Sequence, residues 1–325
     1  MESLFCLCLW NALELLLFLT VSGEGLPVLP CSSQGPALYS LVFQGKWSPR
    51  AFPKQYPRYR PPAQWSPLIA VTHSNKYRLW RLGSKARPGV REFAEKGANA
   101  TLKQEIKKAK NKIHSIGGYF TAPAIRSGVG ETSIMDNFLQ LMSLSFMVRI
   151  VPSPDWFVGY DSIILCQGED WKEDITLDLY PYDAGTDSGF TFSSPNFATA
   201  PQDTITQITS SFPNHRANSF YYPRLHHLPP MARVMLHKSK GQQLVGMPAM
   251  KFNLISPDRE SEILSETPLD CEVSIWSSWG LCDGDCGQFG ISRRTRFIHT
   301  KPANNGAVCP ELEQEIKCIP TNCFL

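Results

Sequence analysis

The segment Ser143-Leu144-Ser145-Phe146-Met147-Val148-Arg149-Ile150 decides the fold class of this chain. Every second residue is a large apolar one, from Leu144 to Ile150, and the residues between them are Ser143, Ser145, Met147 and Arg149. A period of two is typical of a β-strand with one buried face. The strand is expected to end at Ser153-Pro154-Asp155-Trp156, because proline and aspartate favour turns. The centre of the chain is therefore predicted to be sheet.

Further short strand candidates follow this segment, separated by glycine, proline, aspartate and asparagine. They are Ser162–Cys166, Ile175–Leu179 and Thr204–Thr209. Helical spacing is confined to one set of residues: Leu102, Ile106, Ala109, Ile113 and Ile116. With 26 prolines and 22 glycines the chain is unsuited to a long helical bundle. We predict a β-sandwich that carries one or two helical insertions.

Composition excludes some classes of protein. A chain of 325 residues with 42% apolar and 19% charged residues can bury a core and is not disordered. Its net charge of +3 is too small to indicate nucleic-acid binding. No later segment is apolar enough to span a bilayer, and no G-x-S-x-G, H-E-x-x-H or phosphate-binding glycine loop indicates an enzyme. A hydrolase whose residues meet only in space stays open.

The N-terminus predicts secretion. An apolar run, Leu15–Val21, precedes Ser22 and Gly23, and we interpret residues 1–23 as a signal peptide. An uncleaved anchor or a buried helix are the alternatives, but Glu14 shortens the run below the length of a membrane span. In a secreted chain Asn99 lies in a usable glycosylation sequon.

The tail contains six of the ten cysteines, a density typical of a small domain held by disulfides. Trp276 and Trp279 precede a basic run in which Arg294 and Arg296 would share one face of a strand. Guanidinium groups stacked on indoles can replace a conventional core in so small a unit. The alternative is that the same face binds a ligand.

Two aspartates occupy turn-rich segments next to strands. Asp155 follows the clearest strand, and Asp183 follows the candidate strand Ile175–Leu179. Flexible loops with carboxylates supply the oxygen ligands that calcium prefers, so the two loops could form a calcium site. Aspartate is also an ordinary turn former, and that interpretation stays open.

A basic segment lies between Lys76 and Lys112, with twelve Lys or Arg residues. Lys103, Lys107 and Lys110 fall on one side of the predicted helix. They could bind heparan sulphate or the phosphates of bacterial lipopolysaccharide, or they could form a solvated face. The histidines His226, His227 and His237 show no regular spacing of metal ligands.

Several long motifs carry a family resemblance. They are Phe43–Ser48, Phe52–Pro57, Arg60–Ser66, Val148–Gly159 and Leu179–Gly189. These stretches resemble the spondin domain, and the tail resembles a thrombospondin type 1 repeat. The resemblance implies a C2-like antiparallel β-sandwich followed by a small, three-stranded, disulfide-rich repeat. The expected organisation is a signal peptide (1–23), a spondin domain (31–240), a linker (241–270) and the repeat (271–325).

The resemblance also implies a calcium site. Its ligands would be Asp136, Asp155 and Asp183, with Glu131 as the alternative to Asp136 and Asp187 as a supporting residue. The loop from about Ser127 to Asp136 is where the family is expected to present an integrin-binding surface.

Covalent features follow from the resemblance as well. In the repeat it implies Cys271–Cys309, Cys282–Cys318 and Cys286–Cys323. Cys31 and Cys166 are then left to pair with each other. The resemblance further implies C-mannosylation of Trp276, with Trp279 as a second acceptor, and no O-fucose, because Asp285 stands where serine or threonine is needed.

The expected function is that of a secreted, extracellular-matrix adhesion protein without catalysis. It would bind integrins and bacterial surface components such as lipopolysaccharide and so take part in innate recognition. The alternative is a glycosaminoglycan-binding scaffold that localises growth factors through the basic face.

Overall fold

The computed structural model describes residues 37–139, 141–239 and 266–320, and for residues 136–139 it describes the backbone only. The strands of these ranges are β1 (Ala37–Lys46), β2 (Gln64–Trp65), β3 (Leu68–His73), β4 (Ile116–Ala122), β5 (Val129–Leu139), β6 (Ser143–Val151), β7 (Trp156–Ile164), β8 (Cys166–Gln167), β9 (Asp170–Trp171), β10 (Asp174–Leu179), β11 (Tyr182–Asp183), β12 (Thr206–Gln207), β13 (Ala232–Lys238), β14 (Glu272–Val273), β15 (Gly290–Thr295), β16 (Ile298–Thr300) and β17 (Glu313–Cys318). The helices are α1 (Pro88–Lys96) and α2 (Ala100–Lys112).

Two antiparallel sheets form the larger module. One has the strand order β10-β13-β1-β5, and the other has the order β12-β11-β7-β6-β3-β4, with β2 added beside β6. The fold is mostly β, as the sequence predicted, and the two helices are the expected insertions. Thr204–Thr209, predicted as a strand, contributes only the two residues of β12.

The seven-stranded sheet is covered on both faces. Phe146 and Val148 of β6 pack into the core between the two sheets. Met147, between them, packs into a second core that includes Phe93 of α1 and Leu102 of α2. The prediction that this strand buries one face was therefore wrong, because the helices cover the other face.

Helix α2 is shorter than its apolar spacing predicted. It ends at Lys112, and Ile116 already belongs to β4. Helix α1 was not singled out by the sequence; it begins with Pro88 and ends at Gly97, whose φ of 70° suits glycine. The segment expected to be an integrin-binding loop, Ser127 to Asp136, is also different, because it is strand β5 from Val129 onward.

Residues 266–270 contact the larger module. Thr267 donates from its backbone N–H to the carbonyl of Arg50 and from its hydroxyl to the carbonyl of Ala51. Leu269 is buried in the main core. Residues 266–270, expected to be the end of a linker, are thus packed against the sandwich.

The small module is built around extended segments. Strands β15 and β17 pair from Gly290–Cys318 to Thr295–Glu313. The tryptophan-bearing segment lies along β15, where Ser277 N–H donates to the Thr295 carbonyl and Gly280 N–H to the Arg293 carbonyl, both at 2.8 Å. The Arg294 guanidinium lies 4.9 Å from the Trp276 ring centre and 4.6 Å from that of Trp279, and Arg296 lies 4.2 Å from Trp276.

Disulfides close this module. The structure joins Cys271 with Cys309 and Cys282 with Cys318, the two pairs that the resemblance implied. Cys286 and Cys166 are disulfide-bonded too. Their expected partners, Cys323 and Cys31, lie outside the described residues, as do the predicted signal peptide and most of the predicted linker.

Candidate metal centre

The structure brings Asp155 and Asp183 together at one end of the sandwich. Strand β11 pairs with β7, and in this register Asp183 lies opposite Trp156. Asp155 is the residue just before Trp156, so the two carboxylates become neighbours through a pairing between distant segments. The sequence predicted this meeting from loops that belong to neighbouring strands.

Asp155 is fully buried, and its two carboxylate oxygens differ sharply. Oδ2 accepts hydrogen bonds from Thr186 N–H (2.7 Å), the Thr186 hydroxyl (3.0 Å) and Asp187 N–H (3.1 Å). Oδ1 is buried without a hydrogen-bond partner among the described residues. A buried oxygen without a partner costs folding free energy, so we expect this atom to bind a further ligand.

The electrostatics of the pair favour a cation. Burial raises the pKa of Asp155 well above its usual range, and the neighbouring Asp183 carboxylate raises it further. The pKa of Asp183 is raised by its own burial, with contributions from Asp203 and Asp187. A bound cation would offset both the repulsion and the loss of water.

The donor set fits calcium. The unpartnered Asp155 Oδ1 and the Asp183 carboxylate are hard oxygen donors, which calcium prefers; Asp155 lies just before β7 and Asp183 at the end of β11. Asp183 Oδ1 accepts Gly185 N–H at 2.7 Å, which holds that carboxylate in place. Within the described ranges, no group of three or more His, Cys, Asp or Glu side chains is placed to hold a metal. Any further ligands would be backbone carbonyls, water molecules or side chains that the structure does not describe.

The other predicted members of the site have different positions. Asp136 lies in β5, and because its side chain is outside the described part, its role as a ligand stays a prediction. Glu131, the alternative, is exposed and accepts a hydrogen bond from Gln44 Nε2 at 3.1 Å. Asp187 supports Asp155 through its backbone N–H, while its own carboxylate accepts Gly189 N–H at 2.9 Å and closes a turn.

Two contributors were missed by sequence reasoning. Thr186 donates twice to Asp155, and its place in the turn after Asp183 was the only available signal. Arg149 donates to the carbonyl of Ser153 and to that of Ala94, both at 2.7 Å, and so holds the loop before Asp155 against α1. Its charge also lies near Asp155 and Asp187. In the sequence Arg149 looked like an ordinary polar residue of an alternating strand.

The three lysines of the predicted basic face lie on α2. Lys107 is exposed. Lys103 Nζ lies 5.6 Å from the centre of the Tyr119 ring, and Lys110 Nζ donates to the Gly117 carbonyl at 2.5 Å. Asn99, the predicted glycosylation site, immediately precedes α2 and is partly exposed.

One buried contact resembles part of a catalytic triad. His73 Nε2 lies 2.6 Å from Ser145 Oγ, but both side chains are fully buried. A nucleophile must be reachable by its substrate, so this pair gives a hydrolase no support. The two side chains satisfy each other inside the seven-stranded sheet.

Two family comparisons match this architecture. Residues 37–230 match the Spondin_N family and residues 271–323 match the spondin-like TSP1 domain. The chain therefore belongs to the spondin family, which consists of extracellular matrix proteins.

Individual relatives agree with this assignment. The chain is 54% identical to human Spondin-2 (Homo sapiens) over 324 residues, which cover 97% of each protein. It is 55% identical to rat Spondin-2 (Rattus norvegicus) over 297 residues, 90% of each. Mouse Spondin-1 (Mus musculus) is 33% identical over 309 residues, 91% of this chain and 37% of that relative.

Family membership fixes the location and the broad class. Like its spondin relatives, the chain is a secreted protein of the extracellular matrix. No catalytic family is indicated for it. Neither helix of the described ranges is long and apolar enough to cross a membrane.

Proposed function

We propose that this chain is a calcium-dependent adhesion protein of the matrix. The buried Asp155 Oδ1, left without a partner beside Asp183, is the observation that carries the proposal. Calcium supplies a charge that both carboxylates share, and it would connect the loop before β7 with the turn after β11. The ligands that the family resemblance implies are integrins and bacterial surface components such as lipopolysaccharide.

The protein's own residues provide the rest of the arrangement. Thr186 and the Asp187 N–H fix Asp155 Oδ2, and Oδ1, which has no hydrogen-bond partner among the described residues, would be the oxygen that binds the metal. Arg149 anchors the loop through the Ser153 carbonyl. Calcium would therefore act on loops that are already oriented, and its removal should loosen this end of the sandwich more than the sheets.

Calcium binding is tested by calorimetric titration of the secreted full chain. Asp155→Asn and Asp183→Asn should each weaken calcium binding at least about ten-fold, because each removes a charged ligand. Asp178→Asn is the matched control, since Asp178 is a surface aspartate paired with Arg233 at 2.8 Å. Equal affinity in all four proteins would refute the metal site.

Adhesion is tested on surfaces coated with the same proteins. Attachment of integrin-bearing cells and capture of bacteria should fall with a calcium chelator and with Asp155→Asn. They should be unchanged with Asp178→Asn. If the wild-type chain still supports attachment in the presence of the chelator, adhesion does not depend on the metal site.

A second candidate function is a glycosaminoglycan-binding scaffold for growth factors. The exposed Lys107, with Lys103 and Lys110 on the same helix, favours it. Combined Lys103→Gln, Lys107→Gln and Lys110→Gln substitutions should then abolish heparin retention and growth-factor capture without changing calcium affinity. Unchanged retention would refute a role for this helix face.

A further inference from the structure

Three phenylalanines are exposed on two turns of the larger module. Phe190 is 42% exposed, Phe197 58% and Phe212 53%. Large apolar side chains are normally withdrawn from water, and a group of them at the surface marks a place where a partner binds. All three belong to the stretch of chain between residues 188 and 222, which follows strand β11.

Hydrogen bonds and one ring contact bring the two turns together. Ser188 N–H donates to the Phe197 carbonyl at 2.8 Å and closes the first turn around Phe190. The Phe190 carbonyl accepts a backbone N–H from the end of the second turn at 3.0 Å. The Phe190 ring also stacks on His215, with ring centres 4.2 Å apart, and His215 follows Phe212 by three residues. The three phenylalanines therefore lie on adjoining segments.

The backbone of two of these residues is fully paired within the protein. Phe197 N–H donates to the Asp187 carboxylate at 3.3 Å, and the Phe197 carbonyl accepts the Ser188 N–H. Phe212 N–H donates to the Thr209 hydroxyl at 2.9 Å, and the Phe212 carbonyl accepts the Thr209 N–H at 2.8 Å. An unpaired backbone group is costly in an apolar environment, and neither residue would carry one there. Both residues can leave water without losing a hydrogen bond.

The segment that carries the three rings has almost no charge. Between Ser188 and Tyr222 its formal charges are those of Asp203 and Arg216, which sum to zero, and most of its other polar side chains are serine, threonine and asparagine. A polyanion or an anionic membrane attracts clusters of lysine and arginine, which this segment does not contain. Uncharged aromatic residues suit the boundary between the headgroups and the acyl chains of a neutral bilayer.

We propose that Phe190, Phe197 and Phe212 form a binding surface for bilayers of zwitterionic phospholipid, of which phosphatidylcholine is the simplest probe. The three rings enter the boundary between headgroups and acyl chains, and the hydroxyl groups beside them hydrogen-bond to the headgroups. Membrane affinity scales with the apolar area that leaves water. Three partly exposed rings supply little area, so the binding is reversible and weak.

This surface is separate from the binding sites proposed above. It uses neither the carboxylates of Asp155 and Asp183 nor the lysines of α2, and its partner contains no protein and no saccharide. Asp187 links it to the metal centre, because the Asp187 N–H donates to Asp155 while the Asp187 carboxylate accepts the Phe197 N–H. Calcium is therefore kept constant in the test, and the calcium affinity of every variant is measured.

The test is flotation of the secreted full chain with phosphatidylcholine vesicles at physiological salt. The variants are Phe190→Ser, Phe197→Ser and Phe212→Ser, singly and combined. Phe289→Ser is the matched control, because Phe289 lies in the repeat and is 78% exposed. Calorimetric melting checks that each variant is folded.

Each single substitution should weaken binding to the vesicles about three- to ten-fold, and the combined variant should lose at least about 50-fold, because the apolar area that leaves water is removed. Phe289→Ser should bind as the wild type does. Raising the salt concentration should leave binding unchanged, since the surface has no net charge.

Insertion is measured separately with a tryptophan probe. The fluorescence of Phe197→Trp should be quenched by phosphatidylcholine brominated on its acyl chains, beyond the quenching of the wild type. Phe289→Trp should show no added quenching.

Four results would overturn the proposal. They are no binding to phosphatidylcholine vesicles, binding that requires phosphatidylserine, undiminished binding by the combined variant, and equal quenching of Phe197→Trp and Phe289→Trp. Loss of calcium binding by Asp155→Asn would leave the proposal intact, because the lipid surface does not use the metal.

Discussion

Lys54 Nζ lies 3.6 Å from Glu272 Oε1, and this contact joins the sandwich to the small repeat. Lys54 is almost completely buried, whereas the Glu272 side chain is about one-third exposed. The same ammonium donates to the Arg216 carbonyl at 2.5 Å and lies 5.4 Å from the centre of the Tyr221 ring. Burial lowers the pKa of Lys54, and the Glu272 carboxylate opposes that shift. The repeat thus supplies the counter-charge for a cation buried in the other module.

Glu272→Gln should therefore destabilise the sandwich although the substitution lies in the repeat. Loss of the carboxylate leaves a buried charge with weaker compensation, and partial exposure of Glu272 limits the cost to about 1–2 kcal/mol. Calorimetric melting should show a fall of a few degrees for the sandwich. Glu311→Gln, an exposed site in the same repeat, is the control and should melt as wild type. Equal melting of both variants would show that the contact does not couple the modules.

Arg294→Lys should loosen the repeat. The planar guanidinium lies between Trp276 and Trp279, and an ammonium cannot stack on both rings, so about 1 kcal/mol should be lost. Hydrogen exchange in peptides spanning residues 290–296 should accelerate. Arg293→Lys, on the same strand but in a surface pair with Glu315, should leave exchange unchanged. The prediction fails if both substitutions accelerate exchange equally.

The sequence predicted strands where local alternation was strong, as in β6. It could not show that β6 is covered on both faces, because Ser145 is buried through a hydrogen bond to His73, which is 72 residues away. A serine in an alternating pattern looks solvent-facing unless its distant partner is known. For the same reason Lys54 gave no signal of burial, since its partners come from Arg216 and Glu272.

The candidate site was predictable in part. Asp155 and Asp183 follow strands and therefore lie at strand ends, which local sequence can show. Their contact depends on the register of β11 against β7, which only the folded sheet defines. Arg149 was missed because its role is to hold a loop through the Ser153 carbonyl, a contact that has no motif.

Asp183→Asn should stabilise the protein when calcium is absent. At pH 7.5 the two buried carboxylates repel each other, and removing one charge should raise the melting temperature by one to three degrees, on the order of 1 kcal/mol. The asparagine oxygen can still accept Gly185 N–H, so the turn is preserved. Added calcium should stabilise the wild-type chain but not this variant.

Asp203→Asn is the control for that experiment, because it removes a nearby charge but keeps both Asp155 and Asp183. Asp203 is exposed and lies near Asp183, so its removal should have a smaller effect and should keep the response to calcium. A calcium-free Asp183→Asn protein that melts below the wild type would contradict repulsion between Asp155 and Asp183.

His73 should make stability fall as the pH drops below 6.5. Its Nδ1–H donates to the Ser74 carbonyl, and its Nε2 lies 2.6 Å from the Ser145 hydroxyl oxygen. Burial lowers the pKa of His73, with the Ser74 hydrogen bond and the Asp161 charge opposing part of that shift. Below pH 6.5 the unfolded chain binds a proton that the folded chain does not, which removes about 1 kcal/mol per pH unit until the lowered pKa is reached. Denaturant unfolding between pH 7.5 and 5, in saturating calcium, should give a steeper loss for the wild type than for His73→Gln, and parallel curves would show that the buried ring takes up its proton without cost.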